Sequence, residues 1–103
     1  MENRFFRRVL LDDTIKVMTR DGFFLGILDN ISLSGLYLRT NIEIKVGDII
    51  DLIIPLTIKT HIVNILVNAN VVRSDNNGSA FKYIDINHNQ FWTLHSFIID
   101  SNA

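Results

Sequence analysis

A chain of 103 residues with 48% hydrophobic content and no cysteine suits one domain whose core needs no disulfide, and it excludes thiolate metal sites. Ten basic against eleven acidic residues leave a formal charge of -1, which argues against a surface that tracks long polyanions. Three of the cations, Arg4, Arg7 and Arg8, nevertheless fall within one short stretch, so the positive charge is local.

In chain order, residues 1–12 read as a polar, arginine-rich arm with no apolar targeting stretch behind the first residues. In 14–20, Ile15 and Val17 alternate with Lys16 and Met18, which predicts a strand with one inward face. Asp21 and Gly22 signal a hairpin turn. The run 23–31 is apolar on both faces and carries Gly26, expected to mark a bend or bulge. Residues 30–35 interrupt it, and 36–40 resume with Leu36 and Leu38 on one face. A further strand over 49–54 is expected to end at Pro55. This apolar window, broken by Asp51, is far shorter than the roughly 20 residues of a spanning helix.

Residues 58–73 are long for one strand and read as one bent strand or two. Asp75, Asn76, Asn77 and Gly78 form the strongest turn signal, and 80–86 form the last strand. From Asn87 the period changes. Phe91, Leu94 and Ile98 recur at helical spacing with Trp92 beside them, and Asn87 with Gln90 makes a capping box. Short, twisted antiparallel strands avoid exposed edges by closing on themselves. The expected fold is therefore all-β with a terminal helix, a six-stranded antiparallel barrel with one mouth covered by that helix. It forms a single domain, divided into an arm over 1–12, a barrel over 13–86 and a helix over 87–100.

Catalytic signatures are missing. His61, His88 and His95 lack metal-ligand spacing, Ser74 beside Asp75 has no neighbouring histidine, and the carboxylates show no acid–base pairing. There is no GxxxxGK[ST] phosphate loop. Two other motifs carry the chemistry. Arg4, Phe5, Phe6, Arg7 and Arg8 read RxxxR, and Asn30, Ile31, Ser32, Leu33, Ser34 and Gly35 read NxSxxG. An arginine fork can grip guanine O6 and N7 or a phosphate, Asn and Ser supply neutral hydrogen bonds, and Gly admits close backbone approach. A ligand with both guanines and phosphates would use all of these. The plainer alternatives are a solvated terminal arm and an ordinary Asx turn between strands.

At these residues the chain resembles the PilZ family, whose members bind the bacterial second messenger cyclic di-GMP. Val9 to Val17 after Arg8, residues 29–38, Val46, Gly47 and Asp48, then Val71, Val72 and Arg73, and finally Gly78 to Phe81 resemble that family's landmarks in order. The resemblance implies the same barrel with a C-terminal helix. It also implies that Arg4 and Arg8 contact guanine edges and phosphates, with Asn30, Ser32 and Gly35 forming the second half of the site. Asn3 stands where the family influences the number of messengers bound, and Arg7 at a variable place of the pattern. Arg73 and Arg39 are candidates for additional contacts or plain strand-surface charges. Phe5 and Phe6 stack on a base or anchor the arm.

The implied protein is a cytoplasmic, non-enzymatic receptor without cofactor or metal. Ligand binding would order the arm and create a surface read by a partner in motility, adhesion or exopolysaccharide control. Two rivals remain at this point: a PilZ-type interaction module acting without nucleotide, and a small barrel for single-stranded nucleic acid. The second wants aromatics interleaved with cations along several strands, and here Phe5, Phe6, Phe23 and Phe24 cluster at two points.

Overall fold

Six runs rich in β-branched residues pair, each with its two neighbours, and close on themselves. The computed structural model describes residues 9–101. It contains strands β1 (Val9–Thr19), β2 (Gly22–Ile31), β3 (Gly35–Arg39), β4 (Ile49–Ile58), β5 (His61–Ser74) and β6 (Gly78–Ile84), followed by helix α1 (His88–Ser101). The strands form a closed antiparallel barrel in the order β1-β2-β3-β6-β5-β4. Closure removes the sheet edges that a six-stranded open sheet would expose.

Alternation decides which residues fill it. Ile15 and Val17 of β1, Leu36 and Leu38 of β3, Leu52, Ile54 and Leu56 of β4, and Val67, Ala69 and Val71 of β5 point inward and are buried. Leu94, Phe97 and Ile98 of α1 cover the mouth beside β4 and β5. Each such Leu or Ile contributes about 1.5–3 kcal/mol by leaving water. Phe97 takes the place in this apolar face that the helical period had given to Phe91. Phe91 instead lies on the outer side, stacked on His95 and edge-on to Trp92.

The helix starts at the capping box. Asn87 Oδ1 accepts from the Gln90 N–H at 2.9 Å, and Gln90 Oε1 accepts from the Asn87 N–H at 3.0 Å. The Gln90 amide also donates to the Leu66 carbonyl, which ties the helix start to β5.

Three expectations are corrected and one open alternative, the single or double strand over 58–73, is decided. β1 begins at Val9, so residues 9–12 are strand and not arm. β4 does not stop at Pro55, which pairs with Asn64 inside a hairpin that turns at Lys59 and Thr60. β1 partners β4 only over Asp51, Leu52 and Ile53. Beyond them β4 has one neighbour, and a residue without an N–H is tolerated on the open side. Residues 61–74 form one strand, with Val72 as an extra residue against β6 between Val71 and Arg73. Gly26 is neither bend nor bulge: it pairs in register with Ile15, and a Cβ there would stand 2.7 Å from the Leu38 side chain.

The irregularities of β1 and β2 lie elsewhere. Leu10 pairs with Asn30 and Asp13 with Leu28, so Leu11 and Asp12 together oppose Asp29. On the other side of β2, Leu28 pairs with Leu38 and Asn30 with Tyr37, so Asp29 is also an extra residue against β3. Among the described residues no helix is long and apolar enough to cross a membrane.

Candidate functional site

The bulge at Asp29 shapes the second motif. Phe24, Gly26 and Leu28 face inward on β2, and the extra residue shifts the alternation so that Ile31 is the next side chain in the core. Asp29 and Asn30 are thereby left as consecutive half-buried residues on the outside of the barrel. The Asn30 side-chain N–H donates to Asp29 Oδ2 at 3.1 Å.

The chain then turns through Ser32 and Ser34 into β3. The Ser32 N–H donates to the Gly35 carbonyl at 2.9 Å. Ser32 Oγ donates to the same carbonyl at 3.2 Å and accepts from the Ser34 and Gly35 N–H groups at 3.3 and 3.4 Å. Tyr83 of β6 completes the turn, its hydroxyl donating to the Ser32 and Gly35 carbonyls at 3.1 and 3.2 Å. The Tyr83 N–H also donates to the Ser34 carbonyl. Nothing in the motif itself points to Tyr83. The β6 alternation of Phe81 and Tyr83 was the available signal, since it puts both rings on the face that packs against the core.

Ser32 read from the sequence as a supplier of a neutral hydrogen bond to the ligand. It is fully buried here, and its hydroxyl works inside the turn. Ser32→Ala is therefore expected to cost about 1–2 kcal/mol by leaving buried N–H groups without an acceptor. Its melting point should fall by about 5–10 °C for a domain of this size, measurable by calorimetry. A parental melting point would mean that the turn holds itself without the hydroxyl.

Gly35 is the first residue of β3 and pairs with Lys82. Of the two reasons for a glycine, positive φ does not apply, since the glycines in that region are Gly22 and Gly47. Close approach does apply: a Cβ at position 35 would stand 2.0 Å from the Phe81 carbonyl oxygen.

Two charged groups share the outer face near this turn. Arg39, at the end of β3, pairs with Asp12 through Nη2 and with Asp29 Oδ1 through Nε at 3.0 Å. Arg73 lies over the Tyr37 ring, 5.6 Å from its centroid. The Tyr37 hydroxyl donates to Asp75 at 2.8 Å. Partial burial and then the Asp75 carboxylate hold the Tyr37 phenol above its ordinary value. That hydrogen bond, with those from the Asn77 and Gly78 N–H groups, holds Asp75 below the usual carboxylate range. The resulting support for the β5–β6 turn is complete above the ordinary Asp value of about 3.9 and is lost as pH falls through the lower folded value.

Asn3, Arg4, Arg7 and Arg8, like Phe5 and Phe6, lie outside the described residues. What is described is the beginning of β1, where Val9 pairs with Ile31 and Leu10 with Asn30. The strand that follows the arginine motif thus runs alongside the second motif. A cleft of about 710 Å³ lies at the other end of β1 and β2, around Thr19, Ile42 and Gly47. It mixes Arg20 with Asp21, Glu43 and Asp48 and does not suit a polyanion. No group of three or more metal-ligating side chains converges among the described residues.

Comparison with known proteins gives one family and several structural likenesses. A family model of the PilZ domain matches residues 2–100. No curated protein is similar enough in sequence to match. The fold resembles the Bacillus subtilis inhibitor of motility MotI (DgrA) with a TM-score of 0.82 and 20% identity, over 96% of this chain and 51% of that one. It resembles the PilZ domain of CeSA from a cellulose-synthesizing bacterium with a TM-score of 0.70 and 15% identity, over 94% and 99%. It also resembles Borreliella burgdorferi PlzA, solved in complex with c-di-GMP, with a TM-score of 0.69 and 9% identity, over 92% and 40%. The chain spans about half the length of MotI. At these identities the likeness is one of fold.

Proposed function

Because the chain belongs to the PilZ domain family, we propose that it is a non-enzymatic receptor for cyclic di-GMP, which binds outside the barrel between the RxxxR motif and the turn at Asn30 to Gly35. The observation that carries this reading is the pairing of Val9 with Ile31 and Leu10 with Asn30. Arg8 directly precedes Val9 in the chain, and this register supports a reading in which both motifs serve one ligand. The complex of PlzA with c-di-GMP supports the choice of ligand.

Each residue then has a task. Arg4 and Arg8 fork onto guanine O6 and N7 and onto the phosphates. Asn30, held by Asp29, offers an amide to a base edge. Ser32 and Gly35 act through the backbone: one fastens the turn, and the other lets β3 approach β6. Arg73 and Arg7 add positive field, and Asn3, small and polar, leaves room for a second messenger. Bound phosphates tie residues 4–8 to the barrel, and the surface so made is what a partner reads. Similarity to an inhibitor of motility favours motility control as the output.

Calorimetric titration with cyclic di-GMP beside GTP, cyclic AMP and a short oligonucleotide tests the reading. Saturable heat is expected for cyclic di-GMP alone. Silence with all four would favour an interaction module without nucleotide, and heat with the oligonucleotide would favour the nucleic-acid barrel. In the bound state, amides of residues 4–8 should exchange more slowly than in the free protein. Equal rates would move the switch elsewhere.

A further inference from the structure

The turn and its asparagine stand next to carboxylates, which is awkward for a site that takes a dianionic ligand. Asp12, Asp13 and Asp29 all belong to the stretch of β1 and β2 that runs past Asn30. Two of them, Asp12 and Asp29, lie opposite one another at the bulge, where strand irregularity brings an extra residue of each strand to the outer face. Arg39 reaches across from β3 and takes both carboxylates in one guanidinium. Asp29 divides its oxygens, Oδ1 accepting from Arg39 and Oδ2 from the Asn30 amide. A continuous chain therefore runs from Arg39 through Asp29 to Asn30.

We infer that Arg39 is a positioning residue for anion binding at this site: it cancels the charge of Asp12 and Asp29 and, through Asp29, fixes the Asn30 amide, without itself touching the ligand. The inference rests on the function proposed above. Its physical basis is that the pair is exposed, with Arg39 45% and Asp12 84% accessible at the side chain. Exposed ion pairs contribute little to folding. Uncompensated carboxylates within a Debye length of about 8–10 Å still repel a phosphate. The arrangement thus does little for stability and much for the local potential. The bulges that assemble it would otherwise leave carboxylates beside the motif.

The test is a charge rescue followed by calorimetry with cyclic di-GMP. Arg39→Gln should melt like the parent and bind on the order of ten-fold more weakly. Arg39→Lys, which keeps the charge, should stay within about three-fold of the parent. Adding Asp12→Asn and Asp29→Asn to Arg39→Gln should restore binding to the same range, since the repulsion is gone. If Arg39→Gln binds like the parent, the inference falls and the receptor reading stands. If the triple variant remains as weak as Arg39→Gln, cancelling the carboxylate charge is not how the arginine acts, which also overturns the inference. A parent that does not bind cyclic di-GMP removes both.

Discussion

Gly35→Ala is expected to lower stability more than any other single methyl added at the motif turn. The added Cβ would stand 2.0 Å from the Phe81 carbonyl oxygen and 3.0 Å from its carbon, and both are backbone atoms of the neighbouring strand. No rotamer can move them. Relief requires β3 and β6 to part at Gly35 and Lys82, where they pair. The Tyr83 hydroxyl bonds to the Ser32 and Gly35 carbonyls are anchored at the same place. We expect a loss of about 3 kcal/mol or more, at the upper end of overpacking effects. The melting point should fall by about 15 °C. A useful control is Gly47→Ala, where nothing lies within 4 Å and φ is +96°. There the cost is conformational alone, about 1–2 kcal/mol. Thermal unfolding of the two variants separates the mechanisms, and a Gly35→Ala protein that melts like the parent would remove the close approach as the reason for this glycine.

Arg8→Ala should show the opposite profile, with the fold intact and cyclic di-GMP binding reduced ten- to a hundred-fold. One lost bidentate contact corresponds to about 1–3 kcal/mol. Among the described residues the core is built from apolar side chains of the strands and the helix, and an arginine is not a residue type that supplies such a core, so its removal is expected to spare the fold. Calorimetric binding by a variant of parental melting point measures the loss directly. Raising salt from low to physiological levels should weaken parental binding too, but by less than in a protein that neutralises many phosphates. Unchanged affinity in Arg8→Ala would place the ligand away from the arginine motif.

The two variants also divide the site by the kind of information that revealed it. Strand number, the terminal helix, the turns at Asp21 and at Asp75 to Gly78, and the capping box of Asn87 and Gln90 were legible because each rests on local spacing. Alternation at Ile15 and Val17 or Leu36 and Leu38 reports which face a residue takes, and Asn87 with Gln90 needs only its own helix turn. The identities of the motif residues were legible for the same reason, and family resemblance gave them a meaning that spacing could not.

What only the tertiary structure decided depends on partners far away in sequence. Pro55 is tolerated inside β4 because β1 leaves that strand after Ile53. Gly26 makes room for Leu38, and Gly35 for the Phe81 carbonyl, neither of which the chain reveals around the glycine itself. Ser32 is buried because Tyr83, 51 residues later, closes over the turn. The clamp of Asp12, Asp29 and Arg39 exists because two bulges shift the register of three strands at one level. A sequence pattern records the face each residue prefers. The atom that occupies the space in front of it is set by the pairing of strands.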